Sequence, residues 1–140
     1  MRIEPLPPSA RDAAVALWHE AGLTRPWNDP HADLDLALRG PSSTVLGAFS
    51  EAGELVGTAM LGHDGHRGWV YYLAVAPAVR RGGVGRALMG AAEGWLRERD
   101  VPALMLMVRG ENTEALGFYD RLGYHTSDVV VRGRRLDGGE

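Results

Sequence analysis

The sequence predicts a mixed α/β (α+β) fold, a mostly antiparallel sheet flanked by helices, and three features predict it. Residues 43 to 75 read as three β-forming runs separated by turn formers. A glycine- and arginine-rich loop then leads into a helical apolar stripe made by Val84, Leu88, Ala91, Ala92, Trp95 and Leu96. Residues 103 to 108 form an unbroken apolar run with turn signals on both sides, as a buried parallel strand requires.

Taken in order, residues 1 to 6 predict a short first strand, which Pro7-Pro8 ends. Ser9 is placed to cap a helix carrying Ala14, Leu17, Trp18 and Ala21, and Gly22 stops it. Asp29 as cap and Pro30 at the first helical position start a second helix, with Leu34, Ala37 and Leu38 facing inward as far as Gly40. Strands follow at 43 to 50, 55 to 61 and 69 to 75. They are joined by a turn at 51 to 54 and by a hairpin built round Asp64-Gly65. Asp100 and Pro102 close the long helix. After the strand at 103 to 108, Asn112 caps a helix with Ala115, Leu116, Tyr119 and Leu122, and Gly123 takes its left-handed end. Residues 124 to 131 predict a last strand, and residues 138 to 140 a frayed end.

Composition bounds the function. A chain of 140 residues holds one core and buries roughly two-thirds of the surface its unfolded form exposes. No repeat or linker interrupts it, so residues 1 to 140 read as a single domain. Its 45% apolar and 24% charged residues are those of an ordinary globular protein, which excludes disorder and fibrous repeats. With no cysteine, a disulfide framework, a thiolate nucleophile and a Cys-ligated zinc are excluded, and a reduced, cytoplasmic setting is expected. Met1-Arg2-Ile3-Glu4-Pro5 opens no apolar stretch and nowhere do eighteen apolar residues run together, so neither export nor a membrane is expected. A net charge of -3 argues against a nucleic-acid partner. Arg132, Arg134 and Arg135 are read as a solvated tail strand.

The stretch that points to chemistry is Val75-Ala76-Pro77-Ala78-Val79-Arg80-Arg81-Gly82-Gly83-Val84-Gly85-Arg86. A strand feeds a loop that opens a helix, whose first turn offers unpaired amides and partial positive charge. Gly82, Gly83 and Gly85 leave those amides accessible, while Arg80, Arg81 and Arg86 add charge, so the loop reads as a pyrophosphate site. A plain glycine-rich cap with solvated arginines is the structural alternative. No lysine stands where a Walker A loop needs one, and Leu88 occupies the third glycine position of a dinucleotide fingerprint.

Arg80-x-x-Gly83-x-Gly85 after Leu73-Ala74-Val75 resembles the acyl-CoA signature of the GNAT superfamily of N-acetyltransferases. Asn112, Ala115, Phe118-Tyr119 and Leu122-Gly123-Tyr124 match the family's later segment in order and distance. Arg25-Pro26-Trp27-Asn28-Asp29-Pro30, Asp64-Gly65-His66-Arg67-Gly68 and Tyr71-Tyr72-Leu73 resemble a group of small bacterial members. The resemblance covers essentially the whole chain. It implies a sheet with a splayed strand pair that forms a cleft for acetyl-CoA (coenzyme A), the expected cofactor.

By the same resemblance, the cofactor-binding set is Leu73, Ala74 and Val75 on the strand, residues 80 to 86 at the turn, and Asn112 and Phe118 beyond. Only the main chain of Leu73 and Val75 is claimed, as donors and acceptors for the acetyl carbonyl and the pantetheine amides. Phe118 and Tyr124 are chiefly packing residues. Tyr119 matches the tyrosine that protonates the departing thiolate, with a satisfied interior aromatic as the alternative. Trp27, Asn28, Tyr71 and Tyr72 are the expected acceptor contacts.

The acceptor amine must lose a proton. Where several relatives carry a glutamate this chain has Met107, which leaves His63, Asp64, His66, Tyr71, Tyr72 and Asp29 as open candidates for the base. His63 and His66 lack a third ligand, so no metal is expected. The resulting reading is an N-acetyltransferase acting on an amine of unidentified kind, a small molecule, peptide N-terminus or lysine. A non-catalytic acyl-CoA sensor is its rival, and pairing of two copies through the C-terminal strand stays open.

Overall fold

The structure is a computed structural model that describes residues 1–138, so the frayed end expected at Gly139 and Glu140 lies outside the described residues. By internal contacts the chain divides into two compact units, Met1–Leu106 and Met107–Glu140, each described by itself.

The first unit is built on a five-stranded sheet: β1 Arg2–Pro5, β2 Ser43–Phe49, β3 Leu55–His63, β4 Gly68–Val75 and β5 Leu104–Leu106, in that spatial order. All neighbours are antiparallel except β4 and β5, which are parallel, as the mixed-sheet expectation requires. The helices α1 Arg11–Glu20 and α2 Pro30–Arg39 precede β2, and α3 Val84–Arg97 connects β4 to β5.

Each face of the sheet has its own core. On one, Ala14, Val15, Leu17 and Trp18 of α1 and Leu34 and Ala37 of α2 pack with Leu6, Val45, Phe49 and Ala74. On the other lies α3, whose buried stripe Val84, Leu88, Met89, Ala92 and Leu96 follows the helical period seen in the sequence. It sits so close that a Cβ on Gly68 would stand 2.5 Å from Leu96 Cδ1, and one on Gly57 2.9 Å from Leu88 Cδ1.

Capping at α2 is as expected: the Asp29 carboxylate accepts from His31 and Ala32 N–H at 3.0 and 3.2 Å. At α1 it is not. Ser9 lies inside a 3₁₀ turn, Pro8–Ala10, which runs straight into the helix, so Ala10 occupies the cap position without a side-chain bond. The strand predicted over residues 103 to 108 is only Leu104–Leu106.

The second unit holds α4, Thr113–Arg121. Asn112 caps it, its Oδ1 accepting from Ala115 N–H at 3.1 Å, and Gly123 follows at φ +90°. The last predicted strand, residues 124 to 131, is not formed. Val129, Val130 and Val131 are 71%, 86% and 63% exposed. β-Branched residues favour a strand only where a neighbouring strand and a buried face receive them, and no ladder to this segment exists among the described residues. The arginines expected on a tail strand therefore lie on irregular chain, and Arg135 pairs locally with Asp137.

Candidate functional site

The loop after β4 begins with the 3₁₀ turn Pro77–Val79 and closes through Gly82 N–H to Val79 C=O at 3.2 Å. Two residues then adopt left-handed backbone: Arg81 at φ +67° and Gly83 at φ +86°. Gly83 is the cap residue of α3 and no side chain bonds to that helix end, so its first-turn amides face no protein acceptor there. A Cβ at Gly83 would meet nothing within 4 Å, which leaves the space beside the turn open to an anion. Arg80, Arg81 and Arg86 are exposed around it, and Arg80 Nε also reaches back to Val75 C=O at 3.4 Å. The left-handed Arg81, a non-glycine residue, holds a conformation that costs on the order of 1 kcal/mol or more and that glycine would adopt freely. The residues fit a diphosphate group: uncapped amides, a helix start, three cations and free volume.

Upstream of the turn, β4 carries a bulge. Met60 pairs with Tyr71 and Thr58 with Ala74, so two steps along β3 correspond to three along β4. Because Thr58 and Met60 share a face, Tyr71 and Ala74 share it too, and the extra residue falls at Tyr72 and Leu73. Tyr72 sits at φ +50°. For a bulky aromatic residue this is a left-handed outlier that only firm surroundings sustain. On the opposite edge, pairing with β5 runs from Gly68↔Leu104 to Val70↔Leu106 and stops. Residues 71 to 75 therefore have no strand partner on that edge among the described residues, which leaves main-chain donors and acceptors there for an extended ligand.

Three side chains from different elements hold Tyr72. Its ring stacks on Trp18 at 3.9 Å between centroids and 13° between planes. Its hydroxyl donates to Asp33 Oδ2 at 2.7 Å. Its carbonyl accepts from Thr58 Oγ1 at 2.9 Å, and that hydroxyl accepts from Trp18 Nε1 at 2.8 Å. Trp18, Thr58 and Asp33 were not singled out by sequence reasoning. Asp33 reads as an ordinary acidic residue of a first helical turn and Trp18 as core; only the contact with Tyr72 marks them.

Of the expected acceptor residues, Tyr71 and Tyr72 come together on the α1–α2 face of the sheet, with Trp69 beside Tyr71 at 6.5 Å between ring centroids. Trp27 is 51% exposed in the loop before α2, where Asn28 N–H closes a turn to Arg25 C=O at 3.0 Å. Among the candidate bases, His63 lies on the other face, its ring 6.3 Å from Trp95 of α3, so it is removed from the aromatic group. Asp64 Oδ1 accepts from the backbone of His66 and Arg67 at 2.9 and 2.8 Å. Those bonds hold the carboxyl below its usual range and make it a weaker base. Burial, with Asp33 and Asp64 nearby, raises the phenols of Tyr72 and Tyr71 respectively, so neither serves as a base near neutral pH. Asp29 is occupied in capping α2, and His66 stands exposed in the hairpin.

In the second unit, Phe118 and Tyr119 meet edge to face at 5.0 Å, and Tyr119 meets Tyr124 likewise at 6.0 Å. Burial pushes the Tyr119 phenol up to about 12. The capping bond of Asn112 uses only its side-chain oxygen, which leaves its amide N–H₂ to other partners.

Known proteins resemble this chain in sequence and in fold. The sequence profile of the Acetyltransferase (GNAT) family matches residues 12–124. Acetyltransferase ECA0875 of Pectobacterium atrosepticum is 42% identical over 125 residues, 89% of this chain and 88% of the relative. Acetyltransferase YE1169 of Yersinia enterocolitica is 39% identical over 136 residues, covering 97% and 96%. Among solved structures, the aminoglycoside N-acetyltransferase AAC(6')-Iy in complex with CoA superposes with a TM-score of 0.82 at 17% identity, over 96% of this chain and 94% of that one. The ribosomal-protein-S18-alanine N-acetyltransferase of Escherichia coli gives 0.77 at 25% identity, over 90% and 78%.

Proposed function

Because the chain belongs to the GNAT family of acetyltransferases, we propose that it transfers an acetyl group from acetyl-CoA to an amine by direct attack, without an acyl-enzyme. The observation that carries the reading is the open edge of β4 leading into the uncapped start of α3. The amides of residues 82 to 86, with Arg80, Arg81 and Arg86, hold the pyrophosphate, and the main chain of Leu73, Ala74 and Val75 holds the pantetheine arm and the acetyl carbonyl. When bound, acetyl-CoA supplies an activated thioester carbon. With no cysteine in the chain, attack by the amine itself needs no protein nucleophile.

Tyr119 keeps its proton up to a pH of about 12, which suits a donor to the departing thiolate. Asn112 and Phe118 complete the coenzyme contacts, and Trp27, Asn28, Tyr71 and Tyr72 those of the acceptor. Tyr71 and Tyr72 contribute aromatic surface and a hydroxyl, not basicity, so the amine is deprotonated through water. The motifs at residues 25–30, 64–68 and 71–73 resemble the small bacterial acetyltransferase YpeA, and proteins of similar fold are N-acetyltransferases of aminoglycosides and of ribosomal-protein-S18 alanine. The acceptor is accordingly a small-molecule amine, a peptide N-terminus or a lysine. The family match across residues 12–124 supports one domain over residues 1 to 140. No helix among the described residues is long and apolar enough to cross a membrane, in keeping with a cytoplasmic enzyme.

Thiol release from acetyl-CoA, measured with purified protein against a panel of amines, tests the reading. Turnover with at least one acceptor is expected. Tight CoA binding with no turnover on any amine would replace it by an acyl-CoA sensor, and absence of CoA binding would remove both.

A further inference from the structure

We infer that Thr58, Trp18 and Asp33 are positioning residues that fix the Tyr72–Leu73 peptide, so that the Leu73 N–H is aimed at the free edge of β4 where the acetyl carbonyl is held. The inference rests on the acetyl-transfer reading for what that N–H does, and on geometry alone for how it is aimed.

A trans peptide is planar, with its C=O and N–H pointing in opposite directions. The Tyr72 carbonyl is drawn toward β3, because it accepts from Thr58 Oγ1 at 2.9 Å. The Leu73 N–H on the same peptide is thereby turned away from β3, toward the edge where pairing with β5 has stopped at Val70. A regular strand would set this by its ladder, since its amides alternate between the two neighbours; at the bulge the ladder is interrupted, and the Thr58 hydroxyl binds the Tyr72 carbonyl there. The bulge between Met60↔Tyr71 and Thr58↔Ala74 supplies the odd residue, and Tyr72 at φ +50° supplies the turn of the peptide plane.

That conformation is unfavourable for tyrosine and is held at three points. Thr58 grips the carbonyl, the Trp18 ring stacks on the tyrosine ring, and Asp33 accepts from its hydroxyl at 2.7 Å. Thr58 is 0% exposed and is the one buried polar side chain among the described residues. A hydroxyl there costs desolvation unless both of its bonds are made. Both are: it accepts from Trp18 Nε1 and donates to the Tyr72 carbonyl. A core position that needed only volume and a β-branched shape would be served by valine without that requirement. Thr58 thus couples α1 to the Tyr72–Leu73 peptide at the bulge of β4, and Asp33 couples α2 to Tyr72.

The test compares Thr58→Val, which keeps shape and loses the hydroxyl, with Thr58→Ser, which keeps the hydroxyl, and with Trp18→Phe, which keeps the stacked ring and loses the N–H donor. Steady-state kinetics on the best acceptor from the amine panel are read beside the NMR backbone shifts of Tyr72 and Leu73, which report φ directly. Expected are a fall in kcat of roughly tenfold or more for Thr58→Val, with KM for acetyl-CoA within about twofold of wild type, a smaller fall for Trp18→Phe, and recovery of kcat by Thr58→Ser. The Tyr72 and Leu73 shifts should move in Thr58→Val and return in Thr58→Ser. A folded Thr58→Val protein with wild-type kcat and unmoved shifts would overturn the inference, as would a Thr58→Ser protein as damaged as the valine variant. Should Thr58→Val fail to fold, a Trp18→Phe protein with wild-type kcat and shifts would overturn it equally. If the wild type itself acetylates nothing, the acetyl-transfer reading fails, and the shifts alone decide whether Thr58 holds the peptide.

Discussion

Replacing Gly83 by alanine separates the cost of folding the phosphate turn from the cost of filling it. Gly83 lies at φ +86°, and the new Cβ would meet nothing within 4 Å. The substitution therefore brings no clash, only the penalty of a left-handed alanine, about 1–2 kcal/mol. Against a typical stability of about 5–15 kcal/mol the variant stays folded. Binding suffers more. If the methyl group keeps a phosphate from two of the first-turn amides, two charge-assisted hydrogen bonds of about 1.5–3 kcal/mol each are lost. That is roughly 3–6 kcal/mol, or a fall in CoA affinity of about 10²- to 10⁴-fold. Gly90, on the exposed side of α3 and likewise with nothing within 4 Å of an added Cβ, provides the control. Gly90→Ala should gain about 0.5–1 kcal/mol of helix stability and leave CoA binding alone. The double variant should recover most of the folding loss and none of the affinity, because the two sites are about two helical turns, roughly 10 Å, apart and share no partner. Denaturant unfolding gives the first quantity and calorimetric titration with CoA the second. A folded Gly83→Ala protein that binds CoA within about threefold of wild type would refute the assignment of the pyrophosphate to this turn.

Tyr119→Phe keeps the ring and its contacts with Phe118 and Tyr124 and removes only the hydroxyl. Turnover should fall by roughly tenfold to a few hundredfold with CoA affinity unchanged, and wild-type turnover under rate-limiting chemistry would return the thiolate's proton source to water. Trp27→Ala should raise KM for the acceptor and leave that for acetyl-CoA nearly constant if, as we propose, Trp27 and Asn28 contact the acceptor; the reverse pattern in initial-rate kinetics would reassign them. Alkaline pH should destabilise the fold: the native Tyr119 phenol is raised from 10 to about 12, so the native state holds a proton that the unfolded chain has lost. Stability is then complete below about pH 10 and declines as pH rises toward about 12, where Tyr119→Phe should decline less in urea unfolding.

Much of the molecule was legible in the sequence because its signals are local. The α3 stripe, the Asp29 and Asn112 caps, the Asp64-Gly65 hairpin and the glycine-arginine turn each depend on residues within a few positions of one another, where the backbone's own preferences decide the outcome. Three readings failed, one for a local reason and two for a tertiary one. Ser9 is displaced as a cap because the preceding prolines wind a 3₁₀ turn into α1. The run at residues 103 to 108 and the valines at 129 to 131 have strand propensity, but a strand exists only as far as a neighbour's ladder accompanies it. Nothing in either segment records where that ladder ends.

The sequence by itself determined the order of elements, the mixed sheet, the family, and the turn that suits a pyrophosphate. Tertiary structure alone decided which residues come together around Tyr72. Trp18, Asp33, Thr58 and Tyr72 lie up to 54 positions apart, 72 minus 18, and their types are those of ordinary core, first-turn and strand residues. The joint role we infer for them arises from one extra residue in β4, which interrupts the ladder at Tyr72 and Leu73 and leaves side chains of α1, α2 and β3 to hold that peptide. Helix and strand periodicities are properties of a segment, whereas a bulge is a mismatch between two strands, so it exists only once they are paired.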